Sequence, residues 1–172
     1  MVELFIAKSK KGTDIVINEK NFGSTAQEII KKYKYEAEKG YYYYQGKKRI
    51  QKEKGEMIST SKIRGILDLV NKIYNEVFYS IEDKLTTKQV SDIAYLKVKL
   101  AYECGREKEE KRTDLEGKKI ERIGVDLFIH KTGIMSALDE VIKEESREKF
   151  LLYARYVESL IAYFKFYGGK DK

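Results

Sequence analysis

KFLLYARYVESLIAYFKFYGG, residues 149–169, is apolar around most of the circumference of any helix it forms. It holds no proline, and Gly168-Gly169 supply the stop. A helix apolar on nearly all sides belongs at the centre of a core. Arg155 and Lys165 sit inside this run among tyrosines and phenylalanines. Cations threaded through aromatic surface suit a partner that is flat, negatively charged, or both.

The rest of the chain points the same way. At 172 residues it can build one domain with a genuine core, but hardly two. Hydrophobic content of 42% against 37% charged places it among globular rather than disordered proteins. The absence of proline leaves helices uninterrupted, which favours an all-α fold. A net charge of +7 suits an anionic partner, although a solvated basic surface has the same composition. The single Cys104 excludes an intramolecular disulfide. Lys8, Lys10 and Lys11 break the apolar start, so no secretory signal is expected. No run approaches an uncharged membrane span. The expectation is a cytoplasmic protein.

Working towards the N-terminus, Ser146 starts the final helix, Ile134, Leu138, Val141 and Ile142 mark another with Ser136 as cap, and Val125, Phe128 and Ile129 begin a short helix or turn. Residues 107–119 read as an exposed connection. Thr86 with Gln89 forms a capping box for a helix to about Arg106. Ser59, Thr60 and Ser61 cap a long helix whose stripe is Ile63, Ile66, Leu67, Val70, Ile73, Tyr74 and Val77. Residues 41–56, YYYYQGKKRIQKEKGE, read as a basic loop or linker. A further helix spans Ser24 to about Lys39, and Ile15-Val16-Ile17 either form a short strand or dock on the core. The expected architecture is an all-α, compact bundle of five or six helices. It is divided into an N-terminal extension (1–57), with one helix and the Tyr/Lys-rich linker, and a helical domain (58–172).

Catalytic equipment is sparse. One cysteine and one histidine cannot supply a Cys/His zinc set, and no phosphate-binding glycine loop is present. Cys104 falls on an apolar face and reads as a core residue. No catalytic residue, metal or cofactor is expected. A carboxylate-based metal nuclease is a possible class, but no spacing argues for it. The positive signal is basic: Lys62, Arg64 and Lys72 on one helix, Lys97, Lys99 and Arg106 on the next, Arg155 and Lys165 on the last. Taken singly, each is an ordinary surface charge. Taken together, they form a candidate strip for phosphates. Lys97 falls on the apolar stripe Val90, Ile93, Ala94, Leu100, Ala101 and Cys104. Its amine must therefore reach water along the core edge or pair with a carboxylate or phosphate. Tyr153 and Tyr163 either stack on a ligand or pack. Tyr41–Tyr44 followed by Lys47, Lys48 and Arg49 have the composition of single-strand binders and of flexible tails alike.

Three stretches, STSKIRGILDLVNKIY (59–74), YLKVKLAYECGRE (95–107) and FLLYARYVESLIAYFKFYGGKD (150–171), resemble the small subunit of the type III-A CRISPR effector, the Csm complex. The resemblance covers about Ile58 to Asp171 and leaves the N-terminal residues outside it. It implies an all-helical RNA-binding structural subunit without catalytic activity. Copies stack along a ribonucleoprotein filament, touch the guide RNA–target RNA duplex through its backbone, and neighbour the large subunit and the repeated backbone subunit. The eight basic residues are the expected phosphate contacts. The alternative is a helical protein–protein scaffold in which Leu151, Leu152 and Phe166 drive self-association and the charge is incidental.

Overall fold

The computed structural model describes residues 1–52, 57–106 and 112–169. Its elements in chain order are β1 (Glu3–Lys8), β2 (Asp14–Asn18), α1 (Phe22–Ala37), β3 (Tyr41–Gln45), β4 (Lys48–Lys52), α2 (Thr60–Phe78), α3 (Thr87–Gly105), β5 (Arg112–Asp114), α4 (Gly124–Thr132), α5 (Ser136–Glu144) and α6 (Arg147–Phe166).

The α6 helix is the centre. Phe150, Tyr153, Tyr156, Val157, Leu160, Ile161 and Phe164 are all buried, and the helix packs on α1, α2, α5 and β1. Each such side chain contributes about 1.5–3 kcal/mol through burial. Two tyrosines carry hydroxyls into this core and find carbonyls there. Tyr153 donates to Ile134 at 2.8 Å and Tyr156 to Thr132 at 2.6 Å. Burial raises both phenols well above the usual tyrosine range, so they stay neutral donors. Tyr153 therefore packs and does not stack on a ligand. Leu152 is also buried, Leu151 is half-buried, and Phe166 is exposed.

Local chemistry sets the helix starts. Ser59 and Ser146 accept from the amides of Lys62 and Lys149, and Thr86 with Gln89 forms both bonds of a capping box. The first helix begins at Asn21 rather than Ser24. The Asn21 side chain is bonded to Asn18 and Val16, and the Ser24 hydroxyl turns back to the Asn21 carbonyl. Arg147 donates to the carbonyls of Val77 and Phe78 and so closes the C-terminal end of α2.

The all-α expectation is wrong: six helices are joined by five strands in two antiparallel sheets among the described residues. In the first, β1 pairs with β2, Leu4 facing Ile17. Leu4, Ile6 and Ile17 are fully buried. The open edge of β1 is closed by α5, where Ser136 donates to the Ile6 carbonyl and Glu140 accepts from the Phe5 amide. Gly133, in the left-handed region at φ +69, lies so close to β1 that a Cβ would overlap the Ile6 carbonyl. The second sheet has the order β4-β3-β5. It occupies most of the tract read as a linker, of which residues 53–56 lie outside the described residues. Gly46-Lys47 turn the β3–β4 hairpin, with Gly46 at φ +63 as a tight hairpin turn requires. Four consecutive tyrosines are strong strand formers, and in the sheet their alternation buries Tyr41 while leaving Tyr44 outside. The connection after α3 carries β5, and residues 107–111 lie outside the described residues.

Residues on both sides of position 57 share one buried cluster that includes Leu4, Ile17, Ile30, Tyr33, Ile63, Phe128 and Phe164. Tyr33 is its cross-link. The ring meets Phe128 edge-on at 5.2 Å, and the hydroxyl accepts from the Ile58 amide at 2.7 Å and donates to the Gly124 carbonyl at 3.3 Å. Removing that hydroxyl in Tyr33→Phe leaves buried backbone groups without this partner. The expected cost is about 1–3 kcal/mol, read as a lower urea midpoint with an unchanged slope.

Candidate nucleic-acid interface

The α2 and α3 helices lie side by side, each with its capped start fixed by the chemistry above. Between them runs a groove of about 760 Å³, floored by Ile66, Leu100 and Val125. Helical periodicity decides what lines it. On α3, Tyr95, Lys99, Tyr102 and Arg106 recur at intervals of four, three and four residues and project from one face. On α2, Lys62, Gly65 and Leu69 do the same. The Lys99 ammonium sits 4.9 Å from the centre of the Tyr95 ring, and the Arg106 guanidinium 5.7 Å from that of Tyr102. Both are cation–π pairs at an open surface, Tyr95 and Tyr102 being 60% and 66% exposed. Arg106 is also bonded to Glu103 at 3.2 Å. A smaller cavity of about 240 Å³ continues along the same helix pair and adds Lys72. Its far end is neutralised: Lys88 bridges Asp92 and Glu76, both at 2.8 Å, and these carboxylates hold its ammonium above the usual lysine range.

Four of the eight expected basic residues, Lys62, Lys72, Lys99 and Arg106, thus converge on one surface. The other four do not line it. Arg64 is exposed on α2 but sits about 200° round the helix from Lys62. Arg155 and Lys165 are exposed on α6, which packs against α1 and α2. Lys97 lies on the opposite side of α3 from Lys99 and is ion-paired with Asp139 of α5. That carboxylate answers the question posed by a lysine near an apolar stripe. The stripe itself is rotated from the expected one: Ile93, Leu96, Leu100 and Cys104 are buried, whereas Ala94 and Ala101 face outwards. Beside Lys97 a cavity of about 270 Å³ holds Arg122, paired with Asp126 at 2.8 Å, and His130. Partial burial, then the charges of Arg122 and Lys131, lower the His130 imidazole below its ordinary range. Tyr163 is half-buried and stacked on Tyr167.

The charge pattern alone passes over Tyr95, Tyr102 and Gly65, which also line the groove. The spacing of tyrosine and cation along α3 is the signal that marks them. Gly65, in the second turn of α2, lines the groove with no side chain and has no atom within 4 Å of a notional Cβ, so the space in front of it is open. Among the described residues, no group of three His, Cys, Asp or Glu could hold a metal ion, and no helix is long and apolar enough to cross a membrane.

The profile of the Csm2 type III-A family matches residues 43–170, which takes in both groove helices, α6 and the greater part of the tyrosine hairpin. A protein of Enterococcus italicus described as CRISPR system Cms protein Csm2 is 37% identical over 114 residues, covering 66% of this chain and 71% of the relative. The Streptococcus thermophilus protein of the same description is 36% identical over 115 residues, covering 67% and 77%. One from Mycobacterium tuberculosis is 27% identical over 122 residues, covering 71% and 85%. With three quarters of its length matched, this chain belongs to the Csm2 type III-A family, the small subunits of the Csm complex.

Proposed function

We propose that this subunit of a type III-A CRISPR complex is a non-catalytic RNA-binding element whose α2–α3 groove holds the backbone of the guide–target RNA duplex. The convergence of Lys62, Lys72, Lys99 and Arg106 from two helices onto one groove is the observation that carries the reading. Phosphates attract such cations without regard to sequence, and guide pairing supplies the sequence. An A-form duplex is read by shape and backbone, and no base-reading group is required of the groove. Lys97 acts structurally through Asp139. Arg64, Arg155 and Lys165 act outside the groove, towards neighbouring subunits or bulk solvent. The large subunit, the repeated backbone subunit and further copies of this chain are the proposed neighbours, in the cytoplasm. Phe78, Tyr79 and Ile81, exposed together at the end of α2, support self-association through that end.

The test is fluorescence anisotropy with an RNA duplex of about 16 base pairs. Changing Lys62, Lys99 and Arg106 together to glutamine should weaken binding about 10-fold or more at moderate salt. The slope of log affinity against log salt should become shallower by about one for each phosphate interaction removed. The pair Arg155→Gln and Lys165→Gln should change both far less. An unchanged affinity and slope in the triple variant overturns the groove reading. Chelator-sensitive RNA cleavage by the pure protein overturns the non-catalytic one.

Gly65 gives a steric test. Gly65→Ala should raise stability by about 0.5–1 kcal/mol and leave binding intact, because the space is open and the backbone helical. Gly65→Tyr should fill the groove and abolish duplex binding at unchanged helicity.

A further inference from the structure

A second aromatic and basic surface lies away from the groove, on the β4-β3-β5 sheet. Its register sorts the side chains. Tyr42 faces Gln51 and Tyr44 faces Arg49, so these four share one face. Tyr41, Tyr43 and Ile50 share the other, which is turned inwards: Tyr41 is buried beside Ala37, Ile120 and Ile123. On the outer face the Arg49 guanidinium lies 3.8 Å from the centre of the Tyr42 ring, closer than any other cation–ring pair described in this chain. Arg49 is exposed, and Tyr44 is 42% exposed beside it. Lys47 stands in the turn and Lys48 just beyond it. The twelve residues from Tyr41 to Lys52 carry four cations and no carboxylate.

We infer that this face is a stacking platform for unpaired RNA nucleotides, distinct from the duplex-binding groove. An arginine lying over a tyrosine ring presents a planar guanidinium on which a base can stack in turn, and Tyr44 supplies a second planar surface alongside. The neighbouring lysines lie within reach of the backbone of the same strand. Charge selects the occupant: an acid-free cationic hairpin attracts a polyanion, and the planar groups favour one whose bases are splayed rather than paired. A duplex offers this face only phosphates, because its bases are already stacked on one another. The platform goes beyond the groove reading and stands or falls separately from it.

The experiment measures binding of the full chain to two fluorescent probes at low salt. One is an oligouridylate of about 12 nucleotides, the other the RNA duplex used for the groove. Tyr44→Ala and Arg49→Lys are compared with Tyr44→Phe and with Tyr35→Ala, an exposed tyrosine of α1 that carries Lys39 over its ring at 5.1 Å. Arg49→Lys keeps the charge and removes the plane, so it separates stacking from simple attraction. Tyr44→Ala and Arg49→Lys should each lower oligouridylate affinity about 5-fold or more and leave duplex affinity unchanged. Tyr44→Phe and Tyr35→Ala should leave both unchanged. Full affinity of Arg49→Lys and Tyr44→Ala for the oligouridylate overturns the platform, as do equal losses on both probes. Cross-linking of this face to a protein subunit instead of RNA in the assembled complex also overturns it. Loss of duplex binding confined to the Lys62, Lys99 and Arg106 variant reports on the groove alone.

Discussion

The hydroxyl of Tyr33 holds together the parts on which the rest of the structure depends. It is fully buried, yet it reaches backbone groups at the entry to two helices, Ile58 before α2 and Gly124 at the start of α4. Lys62 projects from the first turn of α2, and Val125 of α4 floors the groove. One phenol on α1 thus ties the entry of α2 to the start of α4, beside the groove's floor. A buried donor–acceptor of this kind is costly to leave unmade, which makes the junction specific as well as stable. The first fifty-odd residues are therefore part of the scaffold beneath the groove.

The α3 helix shows how one helix serves two purposes. Its buried stripe rests on the core. On one flank Lys97 is committed to Asp139 of α5; on the other Lys99 and Arg106 lie over tyrosine rings at the surface. A lysine committed to a carboxylate contributes little to an approaching phosphate. A cation lying on an aromatic face, as Lys99 does, keeps its charge and is held in place. This difference in partners, more than the net charge of +7, separates Lys97 from Lys99; Arg106 combines both kinds of partner, lying over Tyr102 while bonded to Glu103.

Most of the helical frame is legible in the sequence because caps and periodicity are local. Ser59, Thr86 with Gln89 and Ser146 each start the helix expected of them, and the apolar run at 149–169 is the central helix. Of the strands only β2 is legible, as the short strand that is one of two readings of Ile15-Val16-Ile17; the others are not, for a physical reason. The glycines and lysines that follow Tyr41–Tyr44 give the tract the composition of a linker, although Gln45-Gly46-Lys47-Lys48 is tight-turn chemistry between two strands. Similarly, β1 is held by side chains of α5 far away in sequence, an interaction no local pattern announces. The cations are legible as a set but not as a surface. A spacing of two along a helix sends Lys62 and Arg64 in nearly opposite directions, and only the packing of α3 on α2 shows which of them meets the other cations.

The most direct measurement is photo-cross-linking in the assembled complex, with target RNA carrying thiouridine along the guide-paired region, followed by mass spectrometry of this subunit. Cross-links on the α2–α3 face, at peptides holding Tyr95 and Tyr102, are the predicted result. Cross-links confined to α6 around Arg155 and Lys165, with the α2–α3 face bound to protein, would contradict the account.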